Sequence, residues 1–286
     1  MRNLKQRIAI RYYKTKLNAI AMVSPRLAAE KALDLFSTPF GKRNKLSVPP
    51  VFHHAEKLSF ELNNKIPVNG WRWESDKTNA KKILIAHGFN SYSYKFEKYV
   101  SLLKNEGFEV LAFDAPAHGM SGGKRINALI YRDMILEIEK KYGRLFGIMA
   151  HSMGGLAAAL AIEKIETLQK LVLIAPATET NRAVDNFFSL MQLNNSFKKE
   201  FEEVLIELAG KPISYFSVSR ALQNITANTL WLHDTDDLIC PFKDVLPVQN
   251  LNLPRIQFYI TNGLGHSRIY KENKVAKSIV SFFLSV

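Results

Sequence analysis

The chain has 286 residues, 47% of them hydrophobic, enough to bury one large domain or a domain with an insertion and too apolar for disorder as the default. Its one cysteine, Cys240, excludes an intramolecular disulfide framework and fits a reducing compartment, and no apolar run is long enough to cross a bilayer. The net charge of +13 is gathered at one end: residues 1–50 hold eleven Lys and Arg against Glu30 and Asp34, a net +9, and with no zinc-ligand spacing and no aromatic-glycine RNA motif no nucleic-acid partner is expected.

Leu4, Ile8, Tyr12, Leu17 and Ile20 recur at helical spacing among those cations. Such a helix either packs its apolar stripe on the domain, the commoner arrangement, or lies on an anionic membrane surface, which makes residues 2–23 a candidate peripheral contact. Ser24 and Pro25 read as a cap and first-turn proline opening a second helix to about Phe36, and Pro39 to Pro50 is a basic linker, so residues 1–50 form a basic helical extension. Lys57 to Leu62 and Val68 to Glu74 are strand-like, with Asn63, Asn64 and Pro67 between them as the turn of a hairpin.

From Lys81 the pattern becomes regular. Short apolar strands at 83–86, 110–113, 145–150 and 171–175 alternate with helices at 94–106, 128–142 and 153–165. Strands without inside-outside alternation, separated by helices, predict an α/β fold with a mostly parallel sheet covered on both faces, and the functional loops belong at the carboxyl ends of its strands. Residues 178–219 then interrupt the rhythm with helical patterning alone. They are read as a helical lid inserted after the sixth strand, with Phe187, Phe188 and Met191 as candidate substrate-binding residues; the same side chains could equally pack the insertion down. Strands at 229–233 and 256–260 and a helix at 272–284 complete the chain, so residues 51–177 and 220–286 make the core domain.

The chemistry begins where the apolar run Leu145 to Ala150 breaks at His151-Ser152-Met153-Gly154-Gly155 and turns helical. A serine hydroxyl is a poor nucleophile at rest, and a sharp strand-to-helix turn lifts it to where a base can reach it; small neighbours make the turn possible. The first motif position is Ala150 where the pattern G-x-S-x-G has glycine. Of seven histidines His266 is the best placed base, in a glycine-flanked loop after the last strand, whereas His87 and His151 read as hydrogen-bonding scaffold. Asp234, Asp236 and Asp237 follow the strand 229–233, and any of them could orient a histidine. His87-Gly88-Phe89 follows the strand at 83–86, and the backbone N–H of Phe89 with that of Met153 would make a two-donor oxyanion hole.

Over about residues 57 to 286 these segments resemble the α/β-hydrolase fold superfamily. Its His-Gly-aromatic segment matches His87 to Phe89, its D-x-P-G-H-G-x-S segment matches Asp114 to Ser121 with Ala117 at a usual glycine, and its acid loop H-G-x-x-D-x-x-V-P matches His233 to Pro241 with Asp234 at a usual glycine. The resemblance implies an eight-stranded-type sheet, the order nucleophile, acid, histidine as Ser152, Asp237 and His266, and a serine esterase or lipase-like enzyme using neither cofactor nor metal. The expected substrate is a small ester with an apolar acyl or alkyl group, handled in the cytoplasm or at the inner membrane surface. A thioesterase or acyltransferase of the same fold, or a non-catalytic membrane-associated binding protein, are the alternatives.

Overall fold

A computed structural model describes residues 4–40, 47–63, 65–194 and 197–285. Asn64 of the expected hairpin turn, residues 41–46 of the linker, and residues 2 and 3 of the candidate membrane segment lie outside these. The chain divides into two compact units, one made of the residues up to Thr38 together with Glu179–Phe216, the other of Pro39–Thr178 and Ser217–Val286.

The larger unit is an eight-stranded sheet. Its strands are β1 (Glu56–Leu62), β2 (Ile66–Trp73), β3 (Lys82–Ala86), β4 (Glu109–Phe113), β5 (Gly147–His151), β6 (Lys170–Ile174), β7 (Asn228–Asp234) and β8 (Ile256–Thr261), in the spatial order β1-β2-β4-β3-β5-β6-β7-β8. The hairpin β1–β2 and the pairing β2–β4 are antiparallel, and the remaining pairs are parallel. The central strands are apolar and buried throughout, which is what a parallel sheet covered on both faces requires. The connections run through α3 (Glu97–Asn105), α4 (Ala128–Tyr142) and α5 (Met153–Ile162), and the unit closes with α8 (Val218–Gln223), α9 (Leu246–Asn250), α10 (Gly265–Arg268) and α11 (Asn273–Leu284). The sequence expectations of an α/β fold, an initial hairpin and a mostly parallel sheet hold.

The smaller unit is all helix: α1 (Leu4–Val23), α2 (Pro25–Phe36), α6 (Thr180–Met191) and α7 (Lys198–Ala209). Ser24 caps α2 by accepting the Leu27 N–H at 3.2 Å, with Pro25 in the first turn. Sequence patterning treats residues 1–50 as an extension and 178–219 as a separate lid, but the first 38 residues share one core with the insertion. Leu17, Ala28, Ala29, Ala32 and Leu35 pack with Val184, Phe187, Phe188, Met191, Phe197 and Phe201. Phe187 stacks on Phe201 at 5.9 Å and meets Phe36 edge-on at 5.2 Å. A helical hairpin with an apolar stripe cannot stand alone in water, and each pair of helices supplies the surface that the other must cover. Phe187, Phe188 and Met191, the candidate substrate-binding residues, are buried in that core.

In the larger unit the start of α5 packs closely on the backbone of β3. A Cβ added to Gly154 would lie 2.6 Å from the His87 carbonyl oxygen and 2.7 Å from that of Ala86, both backbone atoms of β3 and its exit. Gly154→Ala must therefore push helix from strand and should cost about 1–3 kcal/mol, read as a lower urea midpoint. An unchanged midpoint would show that this approach does not constrain the fold.

Candidate active site

β5 delivers His151 to the carboxyl edge of the sheet, and the next residue breaks direction. Ser152 sits at φ 55°, ψ −122°, a positive-φ conformation that costs a non-glycine residue on the order of 1–3 kcal/mol unless its surroundings hold it. They do so with the Ser152 N–H donating to the Ile174 carbonyl at 3.1 Å, and the Ser152 carbonyl accepting from the N–H groups of Gly155 at 2.9 Å and Ala177 at 3.0 Å. Gly155 leaves room for Pro176, whose Cβ would be 2.8 Å from an added side chain.

The other expected residues converge on that turn. His266 Nε2 is 3.0 Å from Ser152 Oγ, and its Nδ1 is 2.7 Å from Asp237 Oδ2. Neutral His266 then donates from Nδ1 to the carboxylate and accepts the serine hydroxyl at Nε2. Asp237 is buried, and its other oxygen accepts the N–H groups of Ile239 at 2.8 Å and Cys240 at 2.9 Å, so the carboxylate cannot rotate away. Burial alone would raise the Asp237 carboxyl, but the hydrogen bond and charge of His266, with those two N–H groups, outweigh it and hold the group below the ordinary carboxylate value. Asp236, the competing acid, is exposed and makes no contact with His266. His233 supports the acid loop from beneath: its Nε2 donates to the Cys240 carbonyl at 2.7 Å and its Nδ1 accepts from the Trp231 indole N–H at 3.3 Å.

The segments expected to carry the oxyanion donors lie beside the serine turn. Met153 opens α5, where a backbone N–H has no partner within the helix. On the other side, a Cβ on Gly88 would lie 2.9 Å from Ser152 Cβ and 2.9 Å from His151 Nδ1, so the backbone leading into Phe89 runs against the turn, and only glycine fits. The loop is braced by the 114–121 segment. Asp114 Oδ1 accepts the Ser93 N–H at 2.8 Å, His118 Nε2 accepts the Asn90 N–H at 3.1 Å, and His87 Nε2 accepts the Ala115 N–H at 2.9 Å while its Nδ1 donates to the Gly88 carbonyl. Ala117, at the usual glycine position, keeps a positive φ of 65°.

Two things were left unassigned from sequence, the role of Asp234 and the partner of His151. Asp234 is fully buried, and its carboxylate accepts the Gly265 N–H at 2.8 Å, the Leu264 N–H at 3.0 Å, the Asp236 N–H at 3.0 Å and the Thr261 hydroxyl at 2.6 Å. It therefore joins the acid loop to the two residues immediately before His266. Burial would raise this carboxyl, and the four donors reverse the effect and hold it below the ordinary value. The replacement of glycine was the available signal, although what the carboxylate grips could not be read from it. His151 donates from Nε2 to the His266 carbonyl at 3.0 Å, and burial followed by the neighbouring His266 charge drives it down to about 3, so it stays neutral. Burial pushes the Cys240 thiol up, keeping it protonated. Among the described residues no group of three or more His, Cys, Asp and Glu could hold a metal ion.

The family whose sequence model matches residues 77–235 is a hydrolase family described as serine aminopeptidase, S33. The chain belongs to this family of α/β hydrolases. A Mycoplasma genitalium protein named "Putative esterase/lipase 2" is 25% identical over 227 residues, 67% of this chain and 84% of that one. Human monoglyceride lipase is 27% identical over 177 residues, 59% of this chain and 55% of the lipase. A Pyrococcus furiosus esterase structure superposes with a TM-score of 0.66 at 17% identity, covering 87% of this chain and 97% of that one, a likeness of fold.

Two measurements follow from this α/β hydrolase site. Asp234→Ala strands several buried donors, each costing about 1–3 kcal/mol when unsatisfied, so the urea midpoint should fall and labelling of Ser152 by a fluorophosphonate should slow about tenfold or more. Unchanged labelling would remove Asp234 from the positioning of His266. The pH dependence comes from His87 and His151, driven by burial to about 4 and about 3 against 6.5 for the free side chain. Between those values the unfolded chain binds protons that the folded chain refuses, so stability is full above pH 6.5 and falls as pH drops toward 4, by on the order of a few kcal/mol. Urea midpoints equal at pH 7.5 and pH 5 would contradict this.

Proposed function

We propose that the protein is a serine hydrolase that cleaves carboxylic esters through an acyl-enzyme on Ser152. The observation that carries this reading is the unbroken chain Ser152 Oγ, His266 Nε2, His266 Nδ1, Asp237 Oδ2, with steps of 3.0 and 2.7 Å at its two hydrogen bonds. As Ser152 Oγ attacks the ester carbonyl carbon, its proton passes to His266 Nε2, and Asp237 stabilises the imidazolium that results. The carbonyl oxygen takes up the negative charge facing the N–H groups of Phe89 and Met153. Collapse breaks the carbon–oxygen bond to the alcohol, which leaves with the proton from His266. Water then repeats the sequence, giving its proton to His266 and its oxygen to the acyl carbon, and Ser152 is regenerated.

The names of the curated relatives, esterase/lipase and monoglyceride lipase, support an ester over an amide. Leu238 and Ile239, directly after the acid, are 93% and 59% exposed, and apolar side chains offered to solvent beside the acid support an apolar acyl or alkyl group in the substrate.

Ser152→Ala should abolish hydrolysis of p-nitrophenyl butyrate and labelling by a fluorophosphonate while leaving the fold intact, since a small side chain fits the turn. Asp237→Asn should lower kcat by orders of magnitude through the wrong histidine tautomer, and Asp236→Asn should lower it little. Full turnover in Ser152→Ala would sink the nucleophile assignment, and the reverse ranking of the aspartates would move the acid.

A further inference from the structure

α1 is apolar on two opposite sides, and only one of them is covered. Leu17 is buried in the helical core, with Ile10, Tyr13, Ile20 and Ala21 packed against it. On the other side Ile8 is 60% exposed, Tyr12 58%, and Met22 and Val23 89% each. At 3.6 residues per turn, these four with Ala19 and Thr15 fall in a sector about 100° wide, with Arg11 on one margin and Lys16 on the other. Ile8, Arg11, Tyr12, Thr15 and Lys16 line a shallow open hollow on this face, and the Lys16 ammonium lies 5.7 Å from the Tyr12 ring centroid. Among the described residues neither Arg11 nor Lys16 has an acidic partner. The sequence of α1 carries Lys5, Arg7, Arg11, Lys14 and Lys16 and no acidic residue.

We propose that this outward face of α1 docks on an anionic phospholipid bilayer surface, with Ile8, Tyr12, Met22 and Val23 in the headgroup boundary and Arg11 and Lys16 against lipid phosphates. The pattern argues for that occupant over others. A second copy of the chain would bring two cationic faces together with no acid between them, which like-charge repulsion opposes. Nucleic-acid binding rests on cations across the contact, whereas here the face is mostly apolar, Thr15 excepted, and Arg11 and Lys16 lie at its margins. An apolar stripe with cations along its edges meets both layers of an anionic interface, acyl chains and phosphates. Among the described residues no helix is long and apolar enough to cross a membrane, so the proposed contact is peripheral. This inference is independent of the chemistry proposed for Ser152.

The test is co-sedimentation of the full chain with vesicles of equal parts phosphatidylglycerol and phosphatidylcholine, beside vesicles of phosphatidylcholine alone. Binding is expected to the anionic vesicles at low salt, to weaken as salt is raised, and to fall about tenfold or more in Ile8→Ser/Tyr12→Ser/Met22→Ser and in Arg11→Glu/Lys16→Glu. Both variants alter exposed side chains and should hydrolyse a soluble ester as the parent chain does. Tyr12→Trp, which keeps the face apolar, gives a second readout: its emission should shift to the blue with anionic vesicles. No sedimentation at low salt, equal sedimentation of the triple variant, or bound vesicles without a blue shift would each overturn the proposal. So would a blue shift produced by an oligonucleotide or by self-association at raised protein concentration instead of by lipid.

Discussion

Everything at the site is arranged around one short backbone stretch that cannot relax. Ser152 is held at positive φ between β5 and α5, and it stays there because Gly154, Gly155 and Gly88 let the backbone of 86–88 and Pro176 press against the turn. The strain of that one residue is small beside the packing that imposes it. With the serine oxygen held above the sheet edge, the remaining task is to bring a histidine to it from the far end of the sequence. Two grips do this: Asp234 on the backbone just before His266, and His151 on the carbonyl of His266 itself.

The site is thus a set of loops fastened to one another more than to the sheet. Buried carboxylates serve as the fasteners, with Asp114 joining the loop after β4 to the loop after β3, and Asp234 joining the loops after β7 and β8. A carboxylate suits this work because it accepts several N–H groups at once, and the donors in turn make burial of its charge tolerable. The neutral histidines His87, His151 and His233 do the complementary work, each donating from one nitrogen to a carbonyl.

Much of this was legible in the sequence where local rules act alone. The hairpin, the buried parallel strands, the break at Ser152 and the glycine-flanked His266 are set by patterning and turn chemistry within a few residues, and the choice of Asp237 among three aspartates was reached by resemblance. What covers residues 178–219 was not legible, for a different reason. An apolar stripe on a helix states that something covers it and not what does so, and Phe187, Phe188 and Met191 are covered in part by helices from the beginning of the chain. The stripe on α1 was likewise read as one surface, whereas Leu17 and Ile20 face the core and Ile8 and Tyr12 face outward. Asp234 escaped because its value lies in four donors, two of them in a loop about thirty positions away.

The shared core of the helical unit has a consequence for how the protein is made. Between Thr38 and Glu179 lie 140 residues, so α1 and α2 leave the ribosome long before the partners of Ala28, Ala29 and Leu35 exist. At ordinary elongation speeds the wait is on the order of ten seconds, against microseconds for a helix to form. During it the two helices hold both sides of α1 open to whatever is nearby, and closing the unit then costs the entropy of a long loop. Nascent chains of this protein therefore pass through a stage in which their most cationic segment is also their least covered one.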